Sequence, residues 1–512
     1  MCIGLLVRPL RGRHALRGGG GDRDLPDDTL CIWLRSAAAD RRRHRGGDRS
    51  IQAVGQLCLL GNHGPAGGVP AAVLYRVLPH QQRSGDGAAL AGGSPGQGLH
   101  HEHAAPTSHP HRHGIRMTPF TQPWQARGIP ARTLCRLLLI LFTFLTPVTL
   151  YHILPQCFEN DYFAFRSFAR FVQLHPPGMI YDYPLLQKFQ GTSTVTFPYF
   201  YQPQMLLLVW PLAHLPYVPG YAFWMLPGMT ICAIVLWFAE RNVLAVIAVL
   251  VGPSTLLIWI NGQSSMVQAG LMFGGFLLLP RRPALAGVLF GLMIYKPQLA
   301  VLVPVALLAS RQWRTIAVAC ITAALFLSAS AAAFGVGVWT SWWHHLPTIG
   351  TTIAWKTVEL SRVMATITAN LLMFGATPTQ AHIVQAVSTL TMVTLVWRCF
   401  RERVCMLGAA LVGAGTFLAT PFAFGYDLAV FNLAVIITAS ERWRRGGSFS
   451  FLEIVILVLG FLLPWCVISP VMFRNSSVVV CAVVCVILRR IDAVRHQAPA
   501  PVPEVVGSPV TA

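Results

Sequence analysis

Long apolar segments recur along most of this chain, and they limit the folds it can adopt more than any other feature. Runs of about 17 to 25 apolar residues, long enough to cross a hydrocarbon core, recur between residues 137 and 488. Charged residues make up only 11% of the 512 residues, whereas soluble domains carry about 25%. The sequence therefore predicts an all-α, polytopic integral membrane protein with about 10–13 transmembrane or re-entrant helices.

The charge and cysteine content exclude several classes of function. The formal net charge is +20, but from Met117 onward most arginines fall in short loops between apolar runs. That pattern is typical of cytoplasmic loops, so no nucleic-acid partner is predicted. The 12 cysteines have no paired spacing, and several lie inside apolar runs. Neither a disulfide framework nor a zinc site is expected.

Residues 1–116 differ from the rest of the chain. They contain no lysine, are rich in Arg, Gly and His, and show no apolar periodicity that could offset the entropy of ordering. A disordered tail, a metal-binding histidine cluster and a translated upstream region before a start at Met117 are the three interpretations, and the last is favoured. The histidines in question are His100, His101, His103, His109, His111 and His113. Residues 117–490 are predicted to form the membrane-embedded domain, and 491–512 a disordered cytoplasmic tail.

Basic residues predict the orientation in the membrane. Arg127, Arg132 and Arg136 precede the first apolar run, 137–154, which places the N-terminus in the cytoplasm and the loop 155–203 outside. Basic clusters near residues 400, 443 and 490 then fall on the cytoplasmic side, so the C-terminus is also predicted to be cytoplasmic. A plasma (inner) membrane location is expected.

The middle of the chain does not alternate so simply. The runs 204–216, 220–239, 243–260 and 263–280 would place the next arginines outside if each crossed the membrane. We expect 243–260 to dip and return, because Gly252-Pro253 interrupts it. The run 284–310 is also interrupted, at Lys296-Pro297, which would place Lys296 at the outward apex of two short helices.

Asp161 is the leading candidate for a catalytic group. It follows the first apolar run in a chain with few acids, and an aromatic, proline-rich loop comes after it. As alternatives, it is a solvated loop acid or the N-cap of the segment 162–174. That segment has the pattern of an amphipathic helix lying in the membrane interface.

Lys296 is a second candidate, and it is one of only three lysines in the chain. An ionisable residue at membrane depth costs on the order of 2.5–3.5 kcal/mol by insertion scales. A compact ammonium in such a place suits a lipid phosphate. A snorkelling lysine, or an error in the assigned topology, would also explain it.

Aromatic, amide and histidine side chains complete the set of candidate substrate-binding residues. Tyrosines near the bilayer edge also occur as a structural aromatic belt, and two adjacent histidines without further ligands do not make a metal site. The candidates are Tyr199, Tyr201, Asn261, Gln263, His344, His345, Tyr426 and Asp427.

Taken in order, these motifs resemble glycosyltransferase family 87 over residues 135–440. They are Asp161 after the first span, the Tyr-rich stretch 198–203, Asn261-Gly262-Gln263, Lys296-Pro297 and PFAFGYD at 421–427. The resemblance implies a GT-C membrane fold, a polyprenyl-phosphate mannose donor, inversion at the anomeric carbon, and a catalytic role for Asp161. This chain has Tyr201-Gln202-Pro203 where the family often has Tyr-Pro-Pro.

The resemblance and the residues together predict a mechanism. Asp161 would deprotonate an acceptor hydroxyl, whose oxygen attacks the sugar while polyprenyl phosphate leaves. No cofactor or metal is expected, because a monophosphate leaving group needs less charge compensation than a diphosphate. The partners would be the lipid-linked sugar, a lipid or glycan acceptor, and membrane lipids. The competing hypotheses are a transporter or flippase of lipid-linked sugars, for which no internal repeat is visible, and a structural subunit.

Overall fold

The computed structural model describes residues 131–153, 160–191, 197–355, 360–445, 449–468 and 474–496. Within these ranges the structure is helical and contains no strand, only an isolated antiparallel bridge between Met364 and Phe424. The predicted all-α class is confirmed. The expectations for residues 1–116, for Arg127 and for most of the C-terminal tail lie outside the described residues.

The helices follow one another with short connections. They are α1 (Ala131–Ile153), α2 (Asp161–Leu174), α3 (Tyr183–Gln190), α4 (Met205–Val209), α5 (Tyr217–Glu240), α6 (Val243–Val251), α7 (Pro253–Asn261), α8 (Ser265–Leu278) and α9 (Pro283–Leu292). After these come α10 (Val303–Ala309), α11 (Trp313–Phe334), α12 (Val336–Trp355), α13 (Ile367–Met373), α14 (Pro378–Glu402), α15 (Met406–Ala419), α16 (Leu428–Arg444), α17 (Phe451–Leu462) and α18 (Ser476–His496). Helix α18 thus extends past residue 490, where a disordered tail was expected to begin.

Among the described residues, four helical segments are long and apolar enough to span a bilayer. They are α5, the pair α6–α7, α11 and α14. Shorter apolar helices of 10–17 residues accompany them, at 139–152, 265–278, 283–295, 406–419 and 451–466. The chain is therefore a polytopic membrane protein, as its composition predicts.

The expectation that 243–260 dips and returns is wrong. Gly252 does break the segment, but its extended backbone (φ −67°, ψ 167°) passes directly into α7 at Pro253. The Thr146 hydroxyl of α1 donates to the carbonyl of Val251 at 2.7 Å, and the Asn160 amide donates to that of Ile260 at 3.3 Å. Thr146 and Asn160 therefore contact Val251 and Ile260 in the same order along the two segments of the chain. Helix pair α6–α7 thus continues across the bundle with a kink.

The segment that does not cross is 204–216. It forms only the five-residue α4 and a 3-10 turn, Trp210–Ala213. At a rise of 1.5 Å per residue this covers roughly 15 Å, about half of the hydrocarbon core. Continuous crossing by α6–α7, together with this short segment, restores the alternation that the arginine pattern requires.

The bundle has one end rich in ion pairs formed by arginine. Helix α5 runs from Tyr217, whose ring lies 5.1 Å from that of Tyr162, to Glu240, which pairs with Arg444 at 3.6 Å. Helix α16 also ends at Arg444, and it begins after Asp427. Arg495 pairs with Glu402 at 2.8 Å near the end of α14. Arginines at the ends of α14, α16 and α18 thus lie away from Asp161 and Asp427.

Helix α2 is amphipathic as predicted, but protein rather than lipid covers its apolar face. Phe165, Phe168 and Phe171 are fully buried. Their rings contact those of Trp224, Tyr199 and Phe189 at 5.0–5.2 Å. The interpretation as an interfacial helix is therefore corrected: aromatic residues of α3, of the loop that follows it and of α5 supply the partners for this face.

Two glycines let α9 and α11 approach each other closely. A Cβ at Gly287 would lie 2.7 Å from the carbonyl oxygen of Thr315, and one at Gly291 would lie 2.5 Å from that of Ala319. The four-residue spacing places both glycines on one face of α9, which is the GxxxG pattern of closely packed membrane helices. This contact supports the short helix that precedes Lys296.

We expect Gly291→Leu to destabilise the protein by about 1–3 kcal/mol, because overpacking against backbone must move a helix. The measurement is thermal unfolding of the detergent-purified chain. Leu285→Ile on the exposed face of the same helix is the matched control, since Leu285 is 48% exposed. Equal melting temperatures for Gly291→Leu and wild type would contradict this packing.

Candidate functional site

Helix α2 carries Asp161 in its first turn. The N-cap is Asn160, whose side-chain oxygen accepts from the Phe163 N–H at 3.2 Å. The alternative in which Asp161 caps the helix is therefore wrong. Its carboxylate is left for other contacts, at a helix N-terminus where the backbone dipoles favour negative charge.

A sharp turn between α7 and α8 brings Gln263 to Asp161. Gly262 has a φ of +71°, and a Cβ there would lie 2.6 Å from Cβ of Tyr162. Only glycine fits this approach without strain. Trp224 donates from Nε1 to the Gly262 carbonyl at 3.1 Å, which fixes the turn. As a result, the Gln263 amide nitrogen donates to Oδ2 of Asp161 at 2.7 Å.

Lys296 connects Gln263 to a second carboxylate. Its ammonium donates to Oε1 of Gln263 at 3.1 Å, to Oγ of Ser265 at 2.9 Å and to Oδ1 of Asp427 at 3.0 Å. Ser265 also donates to the same Asp427 oxygen at 2.6 Å. The side chains of Lys296 and Asp427 are only 3% and 1% exposed. The pair is thus buried, and all three N–H donors of the ammonium are engaged.

The predicted break at Lys296-Pro297 is present. Short 3-10 turns, Met293–Tyr295 and Pro297–Leu299, flank Lys296 between α9 and α10. The Gln268 amide donates to the Lys296 carbonyl at 3.1 Å and satisfies a backbone group that the break frees. Since its three donors already contact Gln263, Ser265 and Asp427, Lys296 is placed to hold Gln263 rather than to present its charge to solvent.

Asp161, Gln263, Ser265, Lys296 and Asp427 form one hydrogen-bonded cluster. Two tyrosines line this cluster, and a third lies behind them. The Lys296 ammonium is 5.2 Å from the centre of the Tyr426 ring. Burial raises the pKa of Tyr201, the Asp161 carboxylate raises it further, and a hydrogen bond with Gln263 lowers it. Tyr201 is therefore close to both residues. Tyr199 packs against Tyr201 with ring centres 5.9 Å apart, and its hydroxyl donates to the Gln202 carbonyl at 3.0 Å.

The surroundings of Asp161 set its acidity. Burial raises the pKa of Asp161 above its ordinary value of 3.8, the hydrogen bond from Gln263 and the charge of Lys296 lower it, and Asp427 raises it. Its side chain remains partly exposed. Among the described residues only Oδ2 receives a hydrogen bond, so Oδ1 is the oxygen that can accept a proton from an incoming hydroxyl.

Three candidates from the sequence lie apart from this cluster. The Asn261 amide donates to the Leu257 carbonyl of its own helix at 2.8 Å. His345 stacks on Tyr181, with ring centres 5.8 Å apart, and its Nδ1 contacts the Ser341 carbonyl. His344 is exposed beside Trp343 on another face of α12.

Two residues of the cluster were not predicted. Ser265 bridges Lys296 and Asp427, and its only sequence signal is its position two residues after Gln263 in the same turn. Gly262 was quoted as part of a motif, but its role in admitting Tyr162 depends on a tertiary contact. No group of three metal-ligating side chains occurs in the part of the chain that the structure describes. The Lys296 ammonium already neutralises Asp427.

The central part of the chain matches a known protein family. Residues 199–421 match the model of glycosyltransferase family 87. This match confirms the resemblance predicted from the motifs, and the family is one of glycosyltransferases. It includes Tyr201, Gln263, Ser265 and Lys296, while Asp161 precedes the matched region. No curated protein and no solved structure matches the chain.

We expect the buried pair to show strong coupling in a double-mutant cycle. Lys296→Met alone leaves the Asp427 carboxylate buried without its cation and should cost about 3–5 kcal/mol, whereas Lys296→Met with Asp427→Leu should recover part of that loss. Thermal unfolding in detergent measures both. Arg495→Gln, which breaks a half-exposed pair, should change stability by less than about 1 kcal/mol. Additive losses at Lys296 and Asp427 would show that the pair is not coupled.

Proposed function

We propose that this protein transfers a hexose, mannose by its family resemblance, from a polyprenyl-phosphate donor to an extracytoplasmic lipid or glycan acceptor, with inversion. The observation that carries the proposal is the hydrogen bond between Asp161 and Gln263. It joins a partly exposed carboxylate to the family-matched region. The arginine-rich ends of the helices lie elsewhere, which supports a site on the extracytoplasmic side.

The proposed reaction is a single displacement. An acceptor hydroxyl approaches Oδ1 of Asp161, which takes its proton. The hydroxyl oxygen then forms a bond to the anomeric carbon on the face opposite the donor phosphate. The bond between that carbon and the phosphate oxygen breaks, and polyprenyl phosphate leaves with the electron pair. A positioned general base contributes about 10²–10⁴-fold to such a step.

Gln263 and Lys296 act in this proposal by positioning the base. The Gln263 amide holds Oδ2 of Asp161, and Lys296 holds the opposite end of the same amide. A fixed carboxylate needs little reorganisation when the acceptor binds. This proposal replaces the expected contact between Lys296 and the donor phosphate, because the donors of the ammonium are already engaged. We still expect transfer to proceed without a divalent metal.

Asp161→Asn should lower transfer by about 10²–10⁴-fold while the protein remains folded, because the amide keeps the shape and loses the basic oxygen. The assay follows a labelled polyprenyl-phosphate mannose in membranes that contain the full chain. Glu402→Gln is the control, since Glu402 is exposed and pairs with Arg495 at the C-terminal end of α14, away from Asp161. Transfer at the wild-type rate by Asp161→Asn would overturn the proposed role of the base.

The pH dependence of transfer should move in opposite directions in two variants. The base works in its ionised form, so the rate falls as pH drops through the Asp161 pKa, which burial raises above 3.8. Gln263→Leu removes a hydrogen bond that lowers this pKa, so its acid limb should shift to higher pH. Asp427→Asn removes a charge that raises the pKa, so its limb should shift to lower pH. The measurement is the pH profile of kcat/KM, and shifts of the same sign would contradict the assignment.

The orientation is tested by labelling single cysteines in intact cells. Lys188→Cys, at an exposed position of helix α3 near the Asp161 end, should react with a membrane-impermeant maleimide. Arg401→Cys, at the exposed end of α14, should react only after the membrane is permeabilised. The chain without its native cysteines serves as background. The reverse pattern would place the Asp161 end in the cytoplasm.

A further inference from the structure

Four arginines lie where helices α9 and α11 begin, and they form what we call the arginine patch. Arg281 and Arg282 precede α9, Arg311 precedes α11, and Arg314 lies in the first turn of α11. All four side chains are exposed. Within the part of the chain that the structure describes, none of the four guanidinium groups forms an ion pair or a hydrogen bond with the protein. The reaction proposed above uses none of them.

A direct contact between the two helices brings these arginines together. The Thr315 hydroxyl donates to the carbonyl of Pro283 at 3.0 Å. The two glycine contacts of α9 described above both advance by four residues along each helix, so α9 and α11 run parallel. The two N-termini therefore lie side by side, with Arg282 directly before Pro283 and Arg314 directly before Thr315.

The positions of the arginines in the patch are electrostatically unfavourable without a bound anion. Backbone dipoles give each helix N-terminus a partial positive charge, which favours acids and disfavours cations. Neither α9 nor α11 has an acid in its first turn, and no side chain caps either N-terminus. The tendency of basic residues to collect at one face of a membrane explains why arginines lie at this end of the bundle. It does not explain why they lie at two adjacent N-termini that lack an acid.

Other arginines at the ends of α16 and α18 are neutralised by the protein itself. The pairs are Arg444 with Glu240, Arg445 with Glu441, Arg490 with Glu453 and Arg495 with Glu402. The fold thus supplies acids to these arginines, whereas the charge of the arginine patch is left for an anion from outside the protein.

Arg311 also has an unusual backbone conformation. Its φ is +54°, in the left-handed region. Glycine adopts this conformation freely, whereas a residue with a Cβ adopts it at a cost in stability. An arginine at this position therefore supplies a charge to the patch at the expense of local strain.

We propose that the arginine patch binds the phosphate groups of anionic phospholipids in the adjacent leaflet. Trp313, between Arg311 and Arg314, is 63% exposed and begins a helix long enough to span a bilayer. Tryptophan at the end of a span lies at the depth of the lipid head groups, so the patch lies at that depth as well. Guanidinium groups bind phosphate oxygens in bidentate pairs, and the two N-termini add favourable dipoles. The inference does not rest on the proposed function.

Two single substitutions test the patch without disturbing the fold. Arg314→Gln removes one exposed charge. Arg311→Gly removes another and relieves the left-handed backbone, so its melting temperature in lipid-free detergent should be at least that of the wild type. Arg489→Gln is the matched control. Arg489 is also exposed, and its helix α18 packs mainly against α15, α16 and α17 rather than against α9 or α11.

The measurement is native mass spectrometry of the full chain in detergent, titrated with dioleoyl phosphatidylglycerol or with dioleoyl phosphatidylcholine. A single basic residue at a membrane surface contributes about fivefold to the binding of anionic lipid. We therefore expect the wild type to bind phosphatidylglycerol more tightly than phosphatidylcholine by about fivefold or more. Arg314→Gln and Arg311→Gly should each weaken the binding of phosphatidylglycerol by about fivefold and leave that of phosphatidylcholine unchanged. Arg489→Gln should bind both lipids as the wild type does.

Three results would overturn the inference. The first is equal binding of the two lipids by the wild type. The second is unchanged binding of phosphatidylglycerol by Arg314→Gln and Arg311→Gly. The third is an equal loss in Arg489→Gln, because the lipid would then respond to the overall charge of the protein and not to the patch. None of these variants alters the hydrogen-bonded cluster, so each result leaves the proposed role of Asp161 unaffected.

Discussion

The buried ion pair between Lys296 and Asp427 joins segments that are far apart in the sequence. Lys296 belongs to the break between α9 and α10, Asp427 precedes α16, and the Ser265 that contacts both begins α8. A charge with 3% exposure requires full hydrogen bonding, and here each N–H of the ammonium has an acceptor. These three segments are therefore held in one arrangement, and the remaining residues of the cluster take their positions from it.

Gln263 links Asp161 to this buried ion pair by hydrogen bonds at both ends of its amide. An ammonium has donors only, so the Gln263 side-chain oxygen must face Lys296. The amide nitrogen must then face the opposite way, where it meets Oδ2 of Asp161. An N–H group at that place favours the ionised carboxylate over the protonated acid. The buried pair thus fixes the orientation of the amide, and the amide favours the protonation state that the proposed general base needs, against a burial effect that raises the pKa of Asp161.

The fold class and the main residues of the cluster could be predicted from the sequence, because each produces a local sequence pattern that can be recognised without knowledge of tertiary contacts. Charges are rare in apolar runs, so Lys296 and Asp161 were conspicuous, and proline marked the break beside Lys296. The errors arose where local patterns have two outcomes. Gly252-Pro253 is compatible with a kink or a return, and only the contacts of Thr146 with Val251 and of Asn160 with Ile260 distinguish them. Asn160 and Asp161 are both suitable N-cap residues. In the structure Asn160 caps the helix, and Asp161 instead accepts a tertiary hydrogen bond from Gln263. Ser265 had only its position two residues after Gln263 as a signal, and that signal is weak because serine at a helix start is common.

Breaks in the helices explain why the site lies where it does. Backbone groups that leave a helix inside a membrane protein need partners from the protein itself. At Gly262 the partner is the indole of Trp224, at Lys296 it is the amide of Gln268, and at Phe424 it is the carboxylate of Asp427. Each break therefore requires a polar side chain inside the apolar bundle. Asp427 accepts from the backbone N–H of Phe424 and also forms the ion pair with Lys296. Polar side chains gathered for this structural reason form the electrostatic surroundings in which Asp161 lies, so substitutions at these breaks should disturb folding and activity together.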